Sequence, residues 1–448
     1  MKRLLGLFTS VVLALTLAFS LAACKNDSSN QDEEDKAYNV QYELDDNEEY
    51  YTLKSFTVSE EARKLADKND YEGLAELFNG ELAEGETAFT EDTVKTFTVK
   101  SEYEGKPVKK IASSAISSLA FIEKIVVPDS IEEIGANAFY QLTGLKEITL
   151  PFTGNKVGAI SSKSSFGYIF GTTSADGLTS CAQTYEVGAS NASTTYYIPS
   201  NLKTVTITGK NEKVKTEKWV KNKITRDVDG NVIDIAQIAA EEGEVGDDGK
   251  PAYKITVYND GDQKLAVPAY TFYNVTTIET VVLSDELTAL ENYTFYGCSA
   301  LKTVTALGVK TVGDSAFESC SSLKSVAFGG TAAGENEITF ANVETIGKNA
   351  FKGCTALGKS SDVTKHPLDL STVTEIGESA FGGCTGLTSV KLKSGVVLDK
   401  LAFSSCSALE TIENADAYVP KRAEDKTDPS CNPFDGTKYQ DNLDKNDR

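Results

Sequence analysis

One phrase, Ala316-Phe317-Glu318-Ser319-Cys320-Ser321-Ser322-Leu323, is rewritten again and again along this chain. Its frame Phe-x-x-Cys-x-x-Leu returns at Phe295/Cys298/Leu301, Phe351/Cys354/Leu357, Phe381/Cys384/Leu387 and Phe403/Cys406/Leu409. Looser copies put other apolar residues in the same columns, at Ile116/Leu119/Ile122, Phe139/Leu142/Leu145 and Phe272/Val275/Ile278. The Phe column steps by 23 residues from 272 to 295 and by 22 from 295 to 317 and from 381 to 403. A period of about 20–50 residues marks a repeat array, in which a unit buries its apolar face only by stacking on its neighbours. The chain is therefore expected to be an α/β repeat solenoid with one short strand per coil.

Each coil can be read from its columns. After the Leu comes a short alternating run, as in Leu323/Val326/Phe328, Leu387/Val390/Leu392 and Leu145/Ile148/Leu150, which reads as a half-buried strand. Before the Phe stands Val/Ile-x-x-Ile-Gly-x-x-Ala, as in Val343 to Phe351, Val373 to Phe381 and Ile131 to Phe139. The Gly is expected to make a bend with positive φ, and the small Ala to leave room for the ring. The predicted core columns are Phe139, Phe272, Phe295, Phe317, Phe351, Phe381 and Phe403 with Cys320, Cys354, Cys384 and Cys406. Zinc ligands come as close Cys pairs, whereas these cysteines occur singly, about one coil apart, in a column that also accepts Leu119, Leu142 and Val275. They read as small buried apolar thiols, with neither metal nor cofactor expected.

The first residues carry an address. Lys2-Arg3, an apolar run from Leu4 to Ala23 and the sequence Leu21-Ala22-Ala23-Cys24 are the parts of a lipoprotein signal over 1–23, with Cys24 as the lipidated residue. Membrane attachment through that lipid alone is expected. Residues 24–50, rich in Asp and Glu, read as an acidic disordered tether. Residues 51–102 read as a small N-terminal α/β cap: Ser59 opens a helix with an Ala62/Leu65/Ala66 stripe, Asp70 to Phe78 reads as a second short helix ended by Asn79-Gly80, and Thr93 to Val99 alternates as a strand. Repeats fill 103–413, with insertions at 151–201 and 209–265 and smaller ones near 329–340 and 359–372; 414–448 is a C-terminal cap or flexible acidic tail. Asp229-Gly230-Asn231 and Asp260-Gly261 mark two expected hairpin turns in the second insertion.

The composite Leu-x-x-Val/Ile-x-Leu followed by Val/Ile-x-x-Ile-Gly-x-x-Ala-Phe-x-x-Cys resembles the BspA-type leucine-rich repeat of bacterial surface proteins. Glu104 to Ile111 resembles that family's usual approach to its first coil. Phe166 to Gly171 and Tyr197 to Lys203 are similar to an insertion many members share. The likeness covers about 103–413 and departs at the 209–265 insertion and at Asp399, where the Gly is lost. It implies curved solenoids on bacterial surfaces, some acting as adhesins, and carries no catalytic residue.

Chemistry is hard to find in the residues themselves. The single His, His366, sits in a Lys-His-Pro loop without an orienting partner, so no general base is expected there. Trp219 reads as filling a small local core in the second insertion. Asp227, Asp229, Asn231 and Asp234 imitate a calcium loop, but Gly230 falls one position early and Ile238 stands where the bidentate Glu belongs. A net charge of −22 speaks against nucleic-acid binding and for solubility outside the cell. The exposed strand positions hold Lys146, Lys203, Lys302 and Lys324, followed by Thr204, Thr206, Thr303 and Thr305. Stacked strands would align them into a hydroxyl face with a basic stripe. The expectation is a monomeric, non-catalytic, lipid-anchored surface protein that binds an extracellular protein or glycan in adhesin fashion. A structural envelope spacer and an extracellular polymer-degrading enzyme using the insertions are the alternatives.

Overall fold

A computed structural model describes residues 36–82, 86–226, 232–330, 338–359, 368–422 and 428–446. They form two compact units, one of residues 1–210 with 266–448 and one of residues 211–265.

In the first unit, period-two alternation produces short parallel strands, one per coil. Eight of them pair in coil order: Thr96–Thr98, Lys124–Val126, Glu147–Leu150, Thr204–Ile207, Thr280–Leu283, Thr303–Thr305, Ser325–Ala327 and Ile338–Thr339. Leu368–Leu370, Ser389–Leu392 and Thr411–Glu413 make a second parallel sheet of the same kind. The inward positions, such as Val205, Val281, Val304 and Val326, are fully buried. A second ladder of two-residue strands runs from Ala289–Leu290 through Thr311–Val312, Thr345–Ile346, Glu375–Ile376 and Val397–Leu398 to Val419–Pro420.

The Phe segments form a third ladder. Residues two before and two after each ring lie in the left-handed region: Ser315 and Ser319 around Phe317, Asn349 and Gly353 around Phe351, Ser379 and Gly383 around Phe381. That geometry turns every second amide toward the next coil, so the amides of Ser315, Phe317 and Ser319 donate to the carbonyls of Lys348, Ala350 and Lys352 at 2.7–2.8 Å. The rings follow the same spacing. Phe272, Phe295, Phe317, Phe351, Phe381 and Phe403 stack in sequence with centroids 5.1–5.2 Å apart and planes within 12°.

The corner glycine differs from expectation. Gly135, Gly313, Gly347 and Gly377 do not have positive φ; a Cβ on any of them would lie within 2.8 Å of the preceding coil's backbone. Close approach, not a left-handed bend, is what requires Gly there. The positive φ values sit instead beside the Phe, on Ser, Asn and Gly.

Segments outside the regular repeats supply missing rungs. Phe166 and Phe170 fill the gap between Phe139 and Phe272, with ring separations of 6.4, 5.3 and 4.9 Å along that path. The amide of Phe139 donates to Ile169 and that of Phe166 to Thr271. The 151–201 insertion is thus partly core, and its remainder is an antiparallel hairpin of Leu178–Val187 and Ser190–Pro199. At the far end, Phe403 and Ser405 donate to the carbonyls of Pro433 and Asp435, and Phe434 lies 6.0 Å from the Phe403 ring. Within 414–448, Phe434 and Tyr439 pack on the last coil rather than belonging to a free acidic tail, Tyr439 being carried by the helix Lys438–Asn446.

The other end also corrects the sequence reading. Residues 38–44, expected within a disordered tether, are the strand Tyr38–Leu44, paired antiparallel with Tyr51–Val58. The reason is their alternation Tyr38/Val40/Tyr42/Leu44, which outweighs the acidic neighbourhood: Tyr38 packs edge-on against Phe78 at 4.7 Å, and Tyr42 stacks on Tyr103 at 4.4 Å. Tyr51–Val58 runs parallel to Lys106–Ile111, and the Phe56 amide donates to the Ala115 carbonyl. Helices Glu60–Asp67 and Tyr71–Asn79 are opened by Ser59 Oγ and Asp70 Oδ1, which accept the amides of Ala62 and Gly73. Thr96–Thr98 already belongs to the long sheet, so the strand ladder starts before residue 103.

The second unit is a three-stranded antiparallel sheet with Glu212–Arg226 in the centre, flanked by Val232–Ala239 and Tyr253–Lys264. Asp260-Gly261 is not a turn. It lies inside the third strand, beside a register shift between Lys213 and Lys215, where Gly suits an irregular ladder. The turn is made by Asp248-Gly249, with Gly249 at φ +74° and the Gly246 amide on the Lys250 carbonyl. The Asp229-Gly230-Asn231 turn and the calcium-like Asp227 lie outside the described residues, as do Cys24 and His366.

If the ring stack carries the repeat, Phe317→Ala should cost about 3–5 kcal/mol in denaturant unfolding. The thiols of Cys298, Cys320, Cys354, Cys384 and Cys406 should stay unreactive to a maleimide until the chain unfolds. A loss under about 1 kcal/mol, or rapid labelling of native protein, contradicts this packing.

Candidate binding face

The exposed side of the long sheet is built in columns. Backbone hydrogen bonds carry one column from Lys95 through Glu123, Lys146, Lys203, Glu279 and Lys302 to Lys324, each amide donating to the carbonyl one coil back. The expected basic stripe is therefore interrupted by acids. Lys146 pairs with Glu123 at 2.9 Å, Lys203 with Glu279 at 3.7 Å, and Lys302 with the same Glu279. One column further, Lys124 pairs with Glu147 at 2.8 Å. The hydrogen bond from Lys302 holds the Glu279 carboxyl below the usual carboxylate range, with the charges of Lys302 and Lys203 adding to it. The lysines are half of an ion-pair ladder rather than free charges, because a chain this acidic sets carboxylates in the adjacent coils.

Hydroxyl-bearing residues share part of each exposed row. Thr204, Thr280, Thr303 and Ser325 stand in register, and so do Thr149, Thr206, Val282, Thr305 and Ala327. Thr204, Thr206, Thr303 and Thr305 are half-buried between their neighbours, while Ser325 and Ala327 are buried.

The repeat cysteines serve the interior. Cys298 Sγ donates to the carbonyl of Phe272 at 3.0 Å, and Cys320, Cys354, Cys384 and Cys406 do the same to Phe295, Phe317, Phe351 and Phe381 at 3.0–3.1 Å. Burial raises the thiol pKa of Cys298, Cys320, Cys354 and Cys384 well above the ordinary range, which keeps them protonated as donors. Among the described residues no group of three His, Cys, Asp or Glu is arranged to hold a metal ion.

A second surface feature was not singled out from the sequence. The inserted hairpin is fastened by Gln183, buried, which accepts the Gly167 amide at 2.6 Å and donates to the Thr271 carbonyl at 2.7 Å. It stands beside four tyrosines. Tyr270 stacks on Tyr293 at 4.6 Å and Tyr273 on Tyr296 at 4.7 Å, and Asn191 of the hairpin reaches the Tyr270 hydroxyl at 3.4 Å. The available signal was the aromatic character of both columns in two successive coils, where other coils hold small or charged residues apart from Tyr140 and Leu401.

The model of the BspA type leucine-rich repeat region matches six copies, over residues 85–176, 265–359 and 327–419. The chain belongs to the BspA-type leucine-rich repeat family. The match leaves out 177–264, which contains the inserted hairpin and the second unit. This is a repeat family, and no enzyme family is indicated. No curated protein matches. Among solved structures, the leucine-rich repeat protein of T. pallidum is 14% identical over 78% of this chain and 87% of its own, with a TM-score of 0.28. A leucine-rich cell surface protein of Faecalibacterium prausnitzii is 16% identical over 89% and 97%, with a TM-score of 0.25. A leucine-rich repeat protein of Eubacterium ventriosum is 16% identical over 74% and 83%, with a TM-score of 0.30. Likeness at this level carries nothing about partners.

The shared carboxylate gives a test of the BspA-type face. Glu279→Gln removes both ion pairs and should lower stability by about 1 kcal/mol at pH 7. Because the folded carboxyl has a lowered pKa, its contribution is present above the unfolded value and fades as pH falls through the folded one, so the gap between parent and variant should narrow as the solution is acidified. Salt should shrink the gap as well. A difference that persists in acid would assign the loss to packing instead.

Proposed function

We propose that this BspA-type protein is held on the outer face of a bacterial membrane by a lipid on Cys24. There, as a monomer, it binds an extracellular protein or glycan through its strand face and insertions, without catalysis. In this reading the coils form a solenoid, with the N-terminal α/β segment and the segment after Glu413 capping its two ends. The observation that carries the binding role is the row of half-buried hydroxyls in register on a parallel ladder. Hydroxyls held by a rigid backbone offer donors and acceptors at fixed spacing, and so lose little freedom when a partner docks. The ion-pair ladder beside them leaves little net charge there, which favours hydrogen bonding over electrostatic capture.

Two experiments test this. Cys24→Ser should release the protein from membrane fractions or leave it as an unprocessed precursor, and mass spectrometry of the parent should find lipid on that cysteine. An unmodified mature N-terminus elsewhere removes the anchor. Separately, the chain should capture a saturable partner from host or co-resident bacterial surface material. Thr206→Glu with Thr305→Glu should weaken that capture at least about tenfold while leaving the melting temperature unchanged, since introduced charge must be desolvated in the interface. Undiminished capture would move the contact away from the strand face.

A further inference from the structure

Two neighbouring coils place tyrosines in the same two columns, on one patch. The column two residues before the ring holds Ser315, Asn349 and Ser379 in three later coils and Leu401 in the last, but Tyr270 and Tyr293 here, at φ 61° and 58°. A bulky aromatic residue is strained in that region, where Asn, Ser or Gly is at ease. The column after the ring adds Tyr273 and Tyr296. The corner glycine is replaced by Glu291. The core does not need these changes, because the Phe272–Phe295 stack has the same 5.1 Å spacing as Phe295–Phe317. Leu401 carries the same strain without aromatic partners, so the paired stacks Tyr270–Tyr293 and Tyr273–Tyr296, rather than the strain, set this patch apart.

The inserted hairpin supplies the other wall. Asn191, which touches the Tyr270 hydroxyl, is directly opposite Glu186 in the hairpin register. Glu291 is half-buried, and burial together with the charge of Glu186 raises its pKa. Among the described residues neither carboxylate has a lysine or arginine partner, whereas Glu123, Glu279, Glu318 and Glu378 each hold one or two. Two neighbouring acids without counter-charge beside aromatic rings lack a cation.

We propose that this patch binds a cationic side chain, the guanidinium or ammonium of a basic segment on an extracellular partner protein, held by Glu291 and Glu186 against the tyrosine rings. The assignment rests on the binding role proposed above and adds the chemistry of the partner. Rings attract a cation through their quadrupole, and the paired acids accept its donors. A neutral sugar would leave both carboxylates uncompensated.

The test titrates the full chain by calorimetry with acetyl-Gly-Arg-Gly-Arg-Gly-amide and with its neutral citrulline counterpart. The arginine peptide should bind at least about tenfold more tightly than the citrulline peptide. Glu291→Gln and Tyr293→Ser should each weaken it about tenfold, while Glu413→Gln, a distant acid on the strand face, should not. Tyr293→Ser restores the residue type the repeat uses in that column, so the melting temperature should hold. Equal binding to parent and patch variants overturns the proposal, since the peptide is then adsorbing to the general acidity. Equal binding of the citrulline peptide also overturns it, as does a neutral chitotriose that binds and responds to Tyr293→Ser but not to Glu291→Gln. If a surface partner is captured but the peptide never binds, the patch fails and the wider reading stands; peptide binding with no captured partner is the reverse.

Discussion

Everything in the main unit hangs on one ring per coil being held between the rings of its neighbours. The stack works because the backbone on either side of the Phe turns left-handed, which aims alternate amides at the next coil and sets the rungs 5.1–5.2 Å apart. Face-to-face contact at that spacing follows from the ladder rather than from any preference of the rings, which left alone favour offset or edge-on pairs. The Cys column completes the arrangement. The Phe317 carbonyl accepts the Cys320 amide of its own coil and the Cys354 thiol of the next, so each thiol ties two coils together. Leu142 or Val275 fills the same space but cannot donate.

A stack of this kind is only as good as its ends and joints, since an open rung leaves a ring against water. The chain meets that need with segments that are not repeats. Phe56 lies against the first coil, Phe166 and Phe170 bridge the coils on either side of the 151–201 insertion, and Phe434 follows Phe403. Phe434 even keeps the local rule, with Gly436 left-handed two residues on.

The outer surface obeys different logic. Interior columns repeat because each coil sees the same neighbours; exposed columns are free to drift, and where they repeat they settle into compensating charges. Glu378 holds Lys348 and Lys400 as Glu279 holds Lys203 and Lys302, so each of these carboxylates ties a lysine from the coil on either side. The tyrosine patch stands apart because two successive coils stack tyrosines in pairs beside a hairpin fastened by the buried Gln183.

The repeat period, the inward columns and the main strand of each coil were legible in the residues, because burial is periodic and local alternation fixes which side chains face in; the second ladder of two-residue strands was not expected. The helix caps at Ser59 and Asp70 were legible for the same local reason. What the sequence could not reveal is which distant segments share a rung. Phe170 meets Phe139, Phe434 meets Phe403, and Tyr38 meets Phe78 across stretches that carry no common period. The glutamates of the lysine column were already legible, since Glu123 and Glu279 follow Ile122 and Ile278 as Lys146 follows Leu145; only the stacked coils show that they pair with the lysines. The corner glycines illustrate the division. Their positions were plain from the sequence alone, but the cause, a neighbouring coil within 2.8 Å of the absent Cβ, exists only once the coils are stacked. Local chemistry determines the coil; contact between coils decides the surface, the ends and the site.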